Sequence, residues 1–174
     1  YGSRQGMRAT TGQLITQDTP GVRGVSESGD GFGMSLAVAD LGRDRHSDLA
    51  IGVPFEDGAG AVNVLYGSRS GVTADASQFF NQDSLAVGDG SKPSDRFGVA
   101  LAAANFGRNR HADLAVGVPQ DCVSAAPCVT AGAVDVLYAS DHGLKGSAVQ
   151  AISQATPGVQ GTPQAADLFG WAVA

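Results

Sequence analysis

Short apolar or alternating runs, separated by clusters of Gly, Pro, Asp and Ser, make up most of this chain. Such runs predict β-strands joined by turns, and no helical period of apolar residues competes with them. We predict one set of four strands at residues 34–39, 49–53, 61–66 and around 78–81. A second set follows at residues 99–104, 114–118, 133–138 and 149–153.

The second set copies the first in a fixed register. The equivalent residues include Tyr1, Tyr66 and Tyr138; Phe32, Phe97 and Phe169; and Gln17, Gln82 and Gln154. All three series give a first period of 65 residues and a second of 72. The seven additional residues lie between Pro119 and Gly132, in one connection between strands, where a surface loop tolerates an insertion.

Four short strands per period predict an all-β fold, and sheets that are apolar on both faces must cover one another. A β-propeller, in which four-stranded antiparallel blades are arranged radially, meets this need. The first strand of each set carries small residues, as expected where blades crowd together at the axis. These residues are Ser35, Ala37 and Ala39, and then Ala100, Ala102 and Ala104.

Charge and composition narrow the class of partner. The 174 residues carry a formal net charge of -6, and only 16% of them are charged. A nucleic-acid surface needs clustered Lys and Arg, so we exclude nucleic acid as a partner. No apolar stretch approaches the roughly 20 residues of a membrane span. The chain begins without a basic or apolar leader, and we interpret this start as an interior cut.

The two cysteines, Cys122 and Cys128, both lie in the insertion. No His or further Cys stands at the spacing of zinc ligands. The pair can close a small disulfide loop, which persists in an oxidising compartment. Two unpaired thiols in a flexible loop are the alternative.

The motif Phe-Gly at residues 32–33 and 97–98, followed by Gly-Val-Pro at 52–54 and 117–119, resembles the signature of FG-GAP repeats. Secreted bacterial members are the closer resemblance, judged by Val-Leu-Tyr-Gly-Ser at 64–68. The resemblance implies blades of a seven-bladed propeller like that of integrin α chains, secreted and extracellular. It also implies that the whole chain is part of one β-propeller domain. Residues 1–30 would form the outer strand of a preceding blade, residues 31–95 and 96–166 two blades, and residues 167–174 the first strand of the next blade. We therefore expect the remaining blades of a longer protein, or further copies of the chain.

FG-GAP repeats typically carry a calcium loop between the first and second strands, and the resemblance places candidate ligands in both copies. In the first copy they are Asp40, Asp44, His46 through its carbonyl, and Asp48, with Gly42 at the third position. In the second they are Asn105, Asn109, His111 and Asp113, with one carboxylate. Calcium prefers six to eight oxygens, so the resemblance implies calcium in the first loop and a degenerate second loop.

An alternative for these loops is that arginines replace the ion by hydrogen-bonded salt links. The candidates are Arg43 and Arg45 in the first copy, and Arg108 and Arg110 in the second. Arg45 stands where the family has a glycine with positive φ, which costs an arginine energy. We expect the side chains of His46 and His111 to be exposed.

No nucleophile motif of the Gly-x-Ser-x-Gly type occurs, and we predict no catalytic residue. The first hypothesis is a non-catalytic extracellular scaffold that binds a protein or glycan, as in adhesion. The second is the propeller portion of a secreted hydrolase or phospholipase whose catalytic residues lie outside this chain. Direct catalysis in a propeller pocket is the third, because fold alone does not fix function.

Overall fold

The computed structural model describes residues 2–3, 6–7, 12–42, 44–86, 90–107, 109–123 and 127–174. It is all-β, with two four-stranded antiparallel sheets, which confirms the predicted fold class. Short 3₁₀ turns occur at Glu56–Gly58 and Gln82–Ser84. The strands are β1 Gly2–Ser3, β2 Gly6–Met7, β3 Ser35–Ala39, β4 Asp48–Val53, β5 Ala61–Ser68, β6 Gly71–Phe80, β7 Leu101–Ala104, β8 Asp113–Val118, β9 Ala133–Ser140 and β10 Gly143–Ile152.

Each large sheet is a simple meander in which every strand pairs with the next one along the chain. The first sheet has the order β3-β4-β5-β6, and the second contains β7, β8, β9 and β10 in the same order. The fourth strands begin earlier than the sequence predicts. Two-residue turns pair Ser68 with Gly71 and Ser140 with Gly143, so the chain folds straight back. A register shift within β6 and β10 then interrupts the alternation of side chains, so the sequence does not show the first halves of these strands.

The two large sheets pack face to face, with the innermost strands β3 and β7 next to each other. The first sheet contributes Ala37, Ala50, Val62, Val64, Tyr66 and Phe80 to the shared core, and the second contributes Leu101, Leu114, Val116 and Leu137. Burying one such large apolar side chain stabilises the fold by about 1.5–3 kcal/mol. Stacking of sheets is therefore the main source of stability.

The glycine of each Gly-Val-Pro motif lies directly against the backbone of the following Phe-Gly segment. A Cβ on Gly52 would lie 2.1 Å from the carbonyl oxygen of Gly98. The same oxygen accepts a hydrogen bond of 2.6 Å from Ser35 Oγ. Gly117 repeats the arrangement, since its Cβ would lie 2.0 Å from Gly170 O. Both motifs therefore require glycine because the next Phe-Gly segment lies directly on the second strand.

The opposite face of the second sheet forms an apolar groove with a cavity of about 450 Å³. Its lining includes Ala102, Phe106, Ala115, Val134, Val136, Tyr138, Gln150 and Ile152. Each of these residues is more exposed than its repeat equivalent on the first sheet, which the second sheet covers. Leu41, for example, is fully buried, whereas its equivalent Phe106 is 49% exposed. One surface thus occurs twice, covered in the first sheet and partly open in the second.

Candidate functional site

The two loops with candidate calcium ligands connect β3 to β4 and β7 to β8; we call residues 40–48 the first loop and residues 105–113 the second loop. In both, the final aspartate is fully buried. Asp48 accepts hydrogen bonds of 2.9 Å from the backbone N–H groups of Leu41 and Gly67. Burial raises the pKa of Asp48 to about 6, against the lowering effect of these two donors.

Asp113 repeats this geometry in the second loop. It accepts hydrogen bonds from the N–H groups of Phe106 (3.0 Å) and Ala139 (2.9 Å). Ala139 is the equivalent of Gly67, so in both blades the aspartate ties the loop to the end of the third strand. Both oxygens of each carboxylate are therefore engaged by the protein.

The first and fifth positions form the same tight turns in both loops. In the first loop, Asp40 Oδ1 accepts from Gly42 N (3.1 Å) and Asp44 Oδ1 accepts from His46 N (3.0 Å). In the second loop, the side-chain oxygens of Asn105 and Asn109 accept the equivalent bonds. The backbone course is thus kept although the carboxylates are replaced by amides.

The amides of the second loop also donate, which a carboxylate cannot do. Asn105 Nδ2 donates to Asn109 O at 2.7 Å, and Asn109 Nδ2 donates to Ala139 O at 2.6 Å. Protein N–H groups therefore supply positive partial charge inside the second loop.

The third position differs in the space around it. A Cβ on Gly42 would lie 2.2 Å from Ser140 O and 2.9 Å from Gly143 N, in the turn between β9 and β10. A Cβ on Gly107 would meet nothing within 4 Å. The neighbouring blade therefore excludes a side-chain ligand at the third position of the first loop.

These observations test whether calcium fits the first loop. The third position is closed, and both oxygens of Asp48 bind backbone donors. Within the part of the chain that the structure describes, no three His, Cys, Asp or Glu side chains form a metal-binding group. The described residues do not supply the oxygen set that calcium prefers, which argues against the calcium expected in the first loop.

His111 is buried, with only 3% of its side chain exposed, so the expectation that it is exposed was wrong. Its Nδ1 lies 3.3 Å from Asp40 Oδ1 in the first loop, and its Nε2 lies 2.9 Å from Asp141 Oδ1 in the β9–β10 turn. The hydrogen bond to Asp141 raises the pKa of His111 and lowers that of Asp141. Two neighbouring loops close over the ring, which sequence spacing alone did not indicate.

The alternative that arginines replace the ion finds little support among the described residues of the two loops. Arg110 pairs with Asp141 at 2.9 Å, outside the second loop, and both side chains are largely exposed. Arg45 has a φ of 67°, the left-handed conformation that the sequence led us to expect at this position. Arg43 and Arg108 lie outside the described residues. His46 is only partly exposed, and its Nδ1 lies 3.0 Å from Asp44 Oδ1.

Comparison with known proteins gives this architecture its family. The sequence model described as "FG-GAP repeat" matches residues 32–65. Phosphatidylinositol-glycan-specific phospholipase D of Rattus norvegicus is 34% identical over 119 residues, which cover 64% of this chain and 14% of that protein. Integrin alpha-7 of Homo sapiens is 38% identical over 88 residues, 49% of this chain and 7% of the integrin. Residues 32–65 form an FG-GAP repeat, and residues 97–137 repeat its pattern.

Integrin alpha-6 of Gallus gallus is a further relative, 32% identical over 96 residues that cover 53% of this chain and 8% of the integrin. The chain thus spans only a small part of the curated relatives that it matches. Among its described residues, no helix has the length and apolar composition to cross a bilayer.

The two blades also share a buried polar contact that was not predicted from the sequence. The Gln17 side-chain amide donates to Glu56, and Gln82 donates to Asp121 Oδ1 at 3.2 Å. Burial raises the pKa of Glu56. The sequence contains a sign of this contact, because the two residues of each pair are separated by the same 39 residues. Each pair ties the end of one repeat to the connection between the second and third strands of the next.

Cys122 and Cys128 form a disulfide in that same connection of the second blade. Within the insertion, Val123 N donates to Val129 O at 3.0 Å, and Cys122 pairs with Thr130 in a β-bridge. The first blade makes the connection with the short turn Glu56–Gly58 instead. The described ends of the insertion are therefore held to each other.

Proposed function

We propose that the chain is part of a non-catalytic, extracellular FG-GAP β-propeller that binds a protein or glycan partner through the connections at the ends of its sheets. One observation carries this proposal: the strand frame and its buried polar contacts between repeats recur, while one connection differs. The hydrogen-bonded pairs Gln17–Glu56 and Gln82–Asp121 are equivalent, but only the second blade has the disulfide-closed insertion. Variable loops on a rigid frame are where binding residues concentrate.

The apolar groove on the second sheet supports the division into blades at residues 31–95 and 96–166. Gln78 of the first sheet bonds the backbone of Leu144 through both its amide group (2.9 Å) and its oxygen (3.1 Å). Its equivalent Gln150 is exposed, and Tyr138 Oη donates to it at 2.8 Å. The groove is thus lined by the equivalents of the residues with which the first sheet contacts the second. It therefore suits a further sheet of the same kind.

A propeller portion of a secreted hydrolase or phospholipase is the second candidate. It is favoured by the relative named as a phospholipase D, which matches 64% of this chain. In that case the catalytic residues lie in sequence outside these 174 residues, and this chain positions them or their substrate.

A paired measurement separates the two candidates. The chain is immobilised and tested by surface plasmon resonance against extracellular matrix proteins and a glycan panel, and its hydrolysis of a glycosylphosphatidylinositol is measured in parallel. We expect saturable binding without turnover. A matched variant replaces residues 119–132 with residues 54–60 of the first blade and should weaken binding while the fold is kept. Turnover by the chain itself, or no binding to any panel member, would contradict the proposal.

A further inference from the structure

Arg96 stands at the beginning of the second blade, at the position that Gly31 holds in the first. Both residues have positive φ, 62° for Arg96 and 73° for Gly31. A residue other than glycine in this conformation costs on the order of 1 kcal/mol. Leu168, the next residue of this series, also has a positive φ of 56°, so the turn accepts a side chain, and the charge of Arg96 is what distinguishes the second blade.

The guanidinium of Arg96 contacts two aromatic rings from distant parts of the chain. Its Cζ lies 5.7 Å from the ring centroid of Phe55, between β4 and β5, and 5.7 Å from that of Trp171, after β10. Phe55 is 38% exposed and Trp171 is 50% exposed. Rings that stack on a guanidinium use its flat faces, and the N–H groups at its edge stay available.

The charge of Arg96 has no acidic partner in the part of the chain that the structure describes. The ion pairs there involve other residues. Apolar surface adjoins the cation instead. Met34 is 58% exposed, and a Cβ on Gly31 would lie 2.7 Å from Met34 Sδ and 3.3 Å from the Phe55 ring. The Arg96 guanidinium thus lies between two partly exposed aromatic rings, and Met34 lies near one of them, the Phe55 ring.

We propose that Phe55, Arg96 and Trp171 form a docking site for the single Asp or Glu side chain of a peptide segment that also carries apolar residues. The site rests on the proposed function, and it specifies the partner as a protein. The guanidinium edge binds a carboxylate by two parallel hydrogen bonds, while the two rings contact the apolar neighbours of that residue. The net charge of -6 disfavours polyanions.

Trp171 is the only tryptophan of the chain, so its fluorescence reports on the site directly. The 174-residue chain is titrated with the peptide acetyl-Leu-Glu-Leu-amide, with acetyl-Leu-Gln-Leu-amide as the uncharged match, and with glucuronic acid as a sugar carboxylate. We expect a saturable fluorescence change with the glutamate peptide and at least tenfold weaker responses to the other two. An equal response to the glutamine peptide or to glucuronic acid would overturn the proposal.

Two substitutions and a control complete the test. Arg96→Gln should weaken the glutamate peptide at least tenfold, and Arg96→Gly, which installs the first blade's residue, should do the same without backbone strain. Arg69→Gln removes an exposed arginine beyond the far end of β5 and should leave binding unchanged. Circular dichroism checks the fold of each variant. Unchanged binding in both Arg96 variants would refute the site.

The outcome is distinguishable from failure of the proposed function. If the chain captures a panel protein while Trp171 gives no response to the peptide, only the Arg96 site is wrong. If neither assay shows binding, the scaffold function fails as well.

Discussion

The first and second loops share one backbone course and one buried aspartate, yet they balance charge in different ways. The first loop keeps carboxylates at Asp40 and Asp44, and one of them is met by His111 from the other blade. The second loop has Asn105 and Asn109, whose amides satisfy the loop from within. The difference teaches that the repeat keeps its loop geometry through side-chain oxygens that accept from backbone N–H groups, while the charge of those side chains is free to change.

The two sheets also differ in how far equivalent residues are covered, and this difference gives the largest expected effect on stability. Leu41→Ala removes a fully buried side chain between the sheets and should lower the free energy of unfolding by about 3 kcal/mol. Phe106→Ala, at the equivalent open position, should cost less than about 1 kcal/mol in this chain. Urea denaturation measures both. Equal losses would show that the two faces are covered alike.

The second blade has a disulfide and the first blade has none, so removing it tests how much this difference between the blades contributes to stability. Replacing Cys122 and Cys128 together by Ser should lower the free energy of unfolding by about 2 kcal/mol, the chain-entropy value for a loop of this size. Thermal melting under identical conditions measures the loss. A variant as stable as the parent would mean that the neighbouring bonds of the insertion suffice.

Asn63 and Asp135 occupy equivalent positions of β5 and β9, and both are buried. Burial, assisted by the charge of Asp121, raises the pKa of Asp135 from 3.8 to about 7. A raised carboxyl pKa means that the folded state binds the proton more tightly. Stability from this group therefore falls as pH rises from about 4 to about 7, and it stays low above that range.

Asp135→Asn installs the first blade's residue and should remove this loss. We expect a gain of at least about 1 kcal/mol above pH 7 relative to the parent at the same pH, and a smaller slope between pH 4 and 7. Denaturation curves across this range measure it. The reverse exchange, Asn63→Asp, should create a new loss at pH 7. Identical pH profiles of parent and Asp135→Asn would contradict the assignment.

Calcium gives the smallest expected effect. Because Gly42 is packed against the β9–β10 turn and Asp48 is engaged by backbone donors, we expect millimolar calcium to shift the melting temperature by less than about 1 °C. Magnesium is the matched ion. A rise of several degrees that is lost in Asp44→Asn would establish the first loop as a calcium site instead.

The fold was predictable because the repeat register is visible in single residues such as Phe32 and Phe97, and local strand patterns agree with it. The early start of β6 and β10 was not, because a register shift interrupts the alternation there. The burial of His111 was also missed. It depends on Asp40 and Asp141, which lie 71 and 30 residues away. Contacts between blades leave little trace in local spacing.

Sedimentation equilibrium of the 174-residue chain tests most directly whether these sheets rely on further sheets for cover. With the groove beside Tyr138 and Ile152 partly open, association into larger species is the predicted result at micromolar concentration. A cooperatively folded chain that sediments as an ideal monomer at every concentration would contradict the account.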